Sequence, residues 1–277
     1  MRRAPATSLL FLAALAVLAC GPKPAAEPAK DQGQQPEPPA PAPAPEPETP
    51  PAPTDELPAI EGVHYLEILT GGAEAGDTLP MIIAIHGLGD SPQGFVDLFA
   101  GFDRPARVIL PRALDPHEPG WSWFPIRARD PDVETLSAGI AKAADTLAPA
   151  IAALAEQRPT RGKPIITGFS QGGMLSFTLA THDGELFSAA FPVGGWLPPP
   201  LMPQADLGTP PEQAPPLIAF HGTTDKAVAY EPTKQVVDEL SAAGYRAELR
   251  TYEGVGHAIT PQMRADLFTA IAAAIDT

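Results

Sequence analysis

Cysteine is nearly absent from this sequence. Cys20 is the single one in 277 residues, so no intramolecular disulfide can form. Positive charge is scarce too: 18 Lys and Arg stand against 33 Asp and Glu, a formal net charge of −15. Nucleic-acid binding rests on basic patches that neutralise phosphates, and this balance argues against such a partner. The apolar stretch Leu9 to Leu18 is too short to span a bilayer. No internal repeat is evident, and serine is sparse, with eight residues in the chain.

The N-terminus itself reads as an export signal over residues 1–20. Arg2 and Arg3 form its basic start, and Leu9 to Leu18 its apolar centre. The lone cysteine falls where such a signal is cut, in Val17-Leu18-Ala19-Cys20-Gly21. This resembles a bacterial lipobox, whose cysteine carries lipid and becomes the mature N-terminus. The alternative is an ordinary secretory signal cut near Ala19. The expectation is an exported protein held to a membrane through Cys20, facing the periplasm or the cell surface.

Residues 21–58 carry 14 prolines in 38 positions, with five net negative charges. Such a segment buries too little to offset its chain entropy. It is expected to be an extended tether, with a reach on the order of 100 Å at about 3.1 Å per residue.

From residue 59 to 277 the pattern becomes one of alternating strands and helices. Strands are predicted at Val63 to Leu69, Pro80 to His86, Arg107 to Leu110, Pro164 to Thr167, Phe187 to Val193, Pro216 to His221 and Arg246 to Tyr252. Helices are predicted at Pro92 to Gly101, Val133 to Gln157, Gln171 to His182, Tyr230 to Ala243 and from Thr260 to about Ile275. Continuous apolar strands are those of a sheet covered on both faces. The fold class is therefore α/β, a mostly parallel sheet with helices on both sides. Two long connections remain, Pro111 to Asp132 and the proline-rich Leu197 to Pro215.

The stretch with most chemical content is Gly168-Phe169-Ser170-Gln171-Gly172-Gly173. Gly-x-Ser-x-Gly between a strand and a helix is the context of a nucleophile elbow. With 24 Gly and eight Ser, chance supplies about 0.06 such matches in this chain, so the rest of a constellation must decide. A serine hydroxyl needs a base and an orienting acid, in the chain order Ser, acid, His. His182, His221 and His257 follow Ser170. His257 lies in a glycine-bearing loop after the last strand, at the sheet edge where ligands bind; His182 ends a helix and His221 closes a strand, where it reads as structural. Asp225 occupies the corresponding loop after Pro216 to His221, with Asp183 and Asp206 as competitors. A second oxyanion donor is expected from His86-Gly87-Leu88-Gly89-Asp90-Ser91. There the N–H of Leu88 would join that of Gln171.

Four segments together resemble the phospholipase/carboxylesterase family of α/β-hydrolases, which includes acyl-protein thioesterases. They are His86 to Ser91, Gly168 to Gly173, His221-Gly-x-x-Asp225 and Gly254-x-Gly-His257. The resemblance runs from about Pro80 to the C-terminus. It implies an α/β-hydrolase fold, a Ser170–Asp225–His257 triad, and Leu88 and Gln171 as oxyanion donors. The sequence departs from the thioesterase pattern at Gly120 to Pro125, which leaves the substrate open. The expected activity is a serine carboxylesterase cleaving small or medium acyl esters without metal or cofactor. Trp123 and Phe124 are expected as walls of the substrate pocket. Thioesterase, lysophospholipase and polyester- or feruloyl-type esterase are the alternatives within enzymes. A binding lipoprotein that kept the fold is the alternative outside them.

Overall fold

Both faces of the central strands are apolar, and that dictates the architecture. In a computed structural model, which describes residues 57–125, 127–204 and 208–277, the strand Met81–Ile85 is buried throughout. Its odd members Met81, Ile83 and Ile85 join one apolar cluster. Its even members Ile82 and Ala84 join another on the opposite face. Period-two alternation with no polar side demands helices above and below. The N-terminal residues 1–56, Cys20 among them, lie outside the described residues, as does Asp206.

In chain order the strands are β1 (Ala59–Ile60), β2 (Val63–Thr70), β3 (Met81–Ile85), β4 (Ala106–Pro111), β5 (Asp115–His117), β6 (Gly120–Ser122), β7 (Ile165–Phe169), β8 (Ala189–Val193), β9 (Leu217–Gly222) and β10 (Ala247–Tyr252). The helices are α1 (Pro92–Phe95), α2 (Val133–Gln157), α3 (Gln171–His182), α4 (Tyr230–Ala242) and α5 (Pro261–Ile275). Eight strands form one sheet in the order β1-β2-β4-β3-β7-β8-β9-β10. β1 and β2 run antiparallel to their neighbours, and the strands from β4 to β10 are parallel. α2, α3 and α4 cover the face of the first cluster, through side chains such as Leu136, Leu175 and Val236. α5 and the segment Phe95 to Phe102 cover the other, through Phe99, Met263 and Leu267.

The helix ends follow local chemistry. Ser91, Asp132 and Thr260 each cap a helix by accepting a backbone N–H, from Gly94, Thr135 and Met263. Pro92 and Pro261 occupy first-turn positions, where no donor is missed. α2 continues through Pro149. An interior proline costs about 3 kcal/mol, which burial of Leu147, Ile151 and Leu154 on the sheet offsets.

Two expectations need correction. The connection Pro111 to Asp132 is not simply a loop: β5 and β6 pair as a hairpin within it, hidden by Pro116 and Pro119. The expected helix Pro92 to Gly101 is one α-turn followed by a 3-10 segment at Val96–Phe99.

Chain order and sheet order diverge at one place. β4 lies on one side of β3 and β7 on the other. The loops leaving β3 and β7 therefore part company at a crevice on the C-terminal edge, the position where open α/β sheets bind ligands.

Candidate active site

Ser170 sits at that crevice, between β7 and α3, with φ +57° and ψ −115°. Only Ser170 and Glu61 combine a side chain with positive φ among the described residues, so the turn holds real strain. The neighbours explain how it is tolerated. A Cβ on Gly172 would fall on the carbonyl oxygen of Ile85, and one on Gly168 would meet the backbone of Gly172. The Ser170 N–H donates to Val193 O at 3.0 Å, fixing the turn to β8.

His257, in the loop between β10 and α5, places Nε2 2.9 Å from Ser170 Oγ. Its Nδ1 lies 2.7 Å from Asp225 Oδ2, in the loop after β9. A carboxylate only accepts, so Nδ1 carries the proton and the Nε2 lone pair faces the serine hydroxyl. The imidazole ring also stacks on Phe169, with centroids 4.7 Å apart. The residue just before the nucleophile thus supports the ring, a role that the motif pattern leaves unassigned.

Asp225 is fixed more tightly than its partner. Its Oδ1 accepts from the N–H groups of Ala227 and Val228 at 2.8 and 2.9 Å. Its side chain is 1% exposed. Burial works to raise its pKa, but hydrogen bonds from His221, His257 and the Val228 N–H outweigh it and hold the carboxyl well below the usual carboxylate range. His221 was expected to be structural only. Its Nε2 bonds Val228 O at 3.0 Å and lies 3.4 Å from Asp225 Oδ2, the same oxygen that faces His257, so it is a second brace on the acid. Its spacing four residues before Asp225 was the available signal. The competitor Asp183 ends α3 half-buried, with its pKa raised by burial. His182 bonds Leu201 O.

The N–H groups of Leu88 and Gln171 donate to no protein acceptor among the described residues, and both residues line the cavity at Ser170. Gln171 lies at the first position of α3, where a helix leaves N–H groups free. The Leu88 loop is held from three directions. Gly89 N–H donates to Trp121 O at 2.8 Å, and Trp121 N–H to Asp90 O at 2.9 Å, so β6 docks on the loop. Trp123 Nε1 donates to His86 O at 2.9 Å. His86 Nδ1 lies 2.7 Å from Gly87 O, while its Nε2 accepts from Ala113 N–H at 3.2 Å. That assigns the Nδ1–H tautomer. Gly87 O and Leu88 N–H belong to one peptide group, so the imidazole sets the direction of the Leu88 N–H. Burial lowers the His86 pKa and keeps the ring neutral for this task.

Trp123 and Phe124 are not walls of the cavity. Each is 2% exposed, and neither lines the space at Ser170. Their bulk turns into the core instead, Trp123 beneath His86 and Phe124 against Gly139 of α2. The Gln171 side chain ties this segment down: Oε1 accepts from Trp123 N–H at 3.0 Å, and Nε2 donates to Phe124 O at 2.8 Å. The cavity of about 260 Å³ is lined instead by Leu88, Met174, Ala128, Val228 and two arginines, Arg127 and Arg129. Nothing in residue periodicity singles out those last two; they follow the aromatic segment and reach the cavity through the turn before α2. The described residues of the proline-rich segment after Leu197 contribute nothing to the lining. It is tied to the far end of α3, where Gly184 N–H donates to Thr209 Oγ1.

Comparison with known proteins identifies the family and the fold. The family model described as Phospholipase/Carboxylesterase matches residues 72–275. Acyl-protein thioesterase 1 of Mycosarcoma maydis is 30% identical over 209 residues, covering 66% of this chain and 86% of the relative. Acyl-protein thioesterase 1 of Gibberella zeae is 25% identical over 201 residues, 65% of this chain and 84% of the relative. Among solved structures, esterase PE8 superposes with a TM-score of 0.66 at 21% identity, over 76% of this chain and 98% of that one. The Bacillus cereus carboxylesterase gives 0.60 at 16% identity, over 76% and 94%. These last two likenesses speak for the fold, an α/β-hydrolase.

Proposed function

The chain belongs to the phospholipase/carboxylesterase family of serine hydrolases, and we propose that within it the protein is a carboxylic-ester hydrolase working through an acyl-enzyme at Ser170. The observation that carries this reading is the unbroken hydrogen-bonded line from Ser170 Oγ through His257 to Asp225. His257 Nε2 takes the serine proton as Oγ attacks the ester carbonyl. Asp225 holds the Nδ1–H tautomer and offsets the charge that develops on the ring. The carbonyl oxygen, now an oxyanion, is received by the Leu88 and Gln171 N–H groups. His257 then protonates the leaving alcohol. A water activated by the same nitrogen releases the acid and restores Ser170. No step calls on a metal or cofactor.

The acyl group fits a small space. At about 260 Å³ the cavity is below the roughly 300–1,000 Å³ usual for ligand sites. Leu88, Met174 and Val228 favour a short apolar chain. A thioesterase is the second reading, favoured by the names of the fungal relatives. Purified protein assayed on paired oxoesters and thioesters from acetyl to palmitoyl, with Ser170→Ala as blank, tests both. Oxoester turnover that peaks at short chains, and falls on the order of 10³-fold or more in the blank, supports the main reading. Preference for thioesters, or for palmitoyl chains, overturns it.

For residues 1–20 the reading remains that of an export signal, with Cys20 lipidated and residues 21–58 as the tether. Its support is the sequence alone. Loss of lipid labelling in Cys20→Ala is the expected result, and labelling that persists would contradict it.

A further inference from the structure

Where the leaving group goes is set by His257. Its Nε2 must protonate the departing atom, so the leaving group lies beside the imidazole and away from Leu88 and Gln171. On that side a second cavity adjoins the first, sharing Arg129, Ala227 and His257 and adding Thr224, Lys226 and Gly256. Two cations, Arg129 and Lys226, thus stand along the path of the leaving group, with Arg127 at the first cavity.

Positive charge here runs against the composition of the chain, which holds 18 Lys and Arg to 33 Asp and Glu. Elsewhere among the described residues most cations are engaged; Lys142, Arg161 and Lys163 are not, and they line neither of these cavities. Arg104, Arg107, Arg158, Lys234 and Arg250 are paired with carboxylates. Arg246 donates to Ala214 O, and Arg112 lies over the Trp121 ring. Among the described residues, Arg127, Arg129 and Lys226 have neither an ion pair nor a hydrogen bond through their side chains. The nearest acids in sequence are already used: Asp130 accepts from Asp132 N–H, and Asp132 caps α2. Asp225, between Thr224 and Lys226, is committed to His257.

We propose that the natural substrate carries an anionic group, a carboxylate or a phosphate, on its leaving-alcohol side, received by Arg129 and Lys226. The inference rests on the Ser170 hydrolase reading above. Guanidinium and ammonium groups recognise either anion. Because both side chains are exposed, their attraction acts at moderate strength and is screened by salt.

The test uses acetate esters of matched phenols: methyl 4-acetoxybenzoate as the neutral substrate, 4-acetoxybenzoate with a carboxylate, and 4-acetoxyphenyl phosphate. Each kcat/KM is divided by the rate of spontaneous hydrolysis of that ester. At low salt the wild type is expected to favour at least one anionic ester over the neutral one by about tenfold. The two anionic arms tell carboxylate from phosphate. The ratio should fall toward one in Arg129→Gln/Lys226→Gln and in the wild type at 0.5 M NaCl. Turnover of the neutral ester with no anionic preference, or a preference that survives the double substitution, overturns the inference and leaves the hydrolase reading standing. Absence of turnover on all three overturns that reading, and the inference with it. An equal or larger gain for p-nitrophenyl hemisuccinate over p-nitrophenyl valerate would place the anion on the acyl side and contradict the proposal.

Discussion

Substituting Asp225 by Asn probes the charge line with the least change in shape. Oδ1 of Asp225 accepts two backbone N–H groups, from Ala227 and Val228. An asparagine can accept both only with its carbonyl oxygen, so its NH₂ must occupy the place of Oδ2. That NH₂ faces His257 Nδ1, now 2.7 Å from an acceptor. To avoid two opposed donors the imidazole must move its proton to Nε2. The ring then donates to Ser170 Oγ, from which it should accept a proton, and the base is lost while the geometry stays. The same tautomer error in a serine protease costs about 10⁴-fold in kcat, or about 5 kcal/mol at 1.36 kcal/mol per decade. We expect a loss of that order in kcat with KM little changed. The assay is steady-state turnover of p-nitrophenyl butyrate, with circular dichroism to show an intact fold. Stability carries a second signature. The Asp225 carboxyl has its pKa depressed in the fold, so its contribution is present above the ordinary value of 3.8 and is lost as pH falls through the folded one. The gap in Tm between wild type and Asp225→Asn should narrow in acid. A folded variant with kcat within tenfold of wild type would refute the assignment of Asp225.

Trp123→Phe removes the donor to His86 O and leaves a buried carbonyl unpaired. A cost of about 1–3 kcal/mol lowers Tm by about 2–12 °C in a domain of this size; kcat should fall as the Leu88 loop loosens, with the order of acyl-chain preference unchanged. A changed order would return Trp123 to the acyl wall. His86 has its pKa lowered from 6.5 by burial, so below that pH the unfolded chain binds a proton that the fold refuses. The stability this ring contributes is present above about 6.5 and is lost as pH falls toward the folded value. Tm should therefore drop more between pH 7.5 and 5.5 in wild type than in His86→Asn, and equal drops would contradict the neutral ring. Met174→Trp, which fills the cavity from α3, should abolish turnover of butyrate esters before that of acetate; equal losses would show that the acyl group lies elsewhere.

The alternation of strands and helices was legible because its signals are local. Apolar runs such as Met81 to Ile85 and caps such as Asp132 and Thr260 act over a few residues. The strained serine was legible because Gly168 and Gly172 leave room that other residues would fill. The contacts that hold the site together were less so. Trp123 carries an apolar ring and one N–H, and sequence alone does not say whether such a ring faces a cavity or the core. The answer depends on the His86 carbonyl, 37 residues away. Phe169 and the Gln171 side chain act through partners still more distant in sequence, whereas the brace from His221 spans only four residues. Arg127 and Arg129 belong to no periodic element, and only the turn before α2 brings them to the cavity. The hairpin of β5 and β6 was obscured by prolines at positions where no ladder donor is needed.

Reaction of the purified protein with a fluorophosphonate, read by intact mass and peptide mapping, tests the central claim most directly. The account predicts a single adduct on Ser170 among the eight serines of the chain, formed quickly in wild type and strongly slowed in His257→Ala. No adduct, or an adduct on another residue, would contradict it.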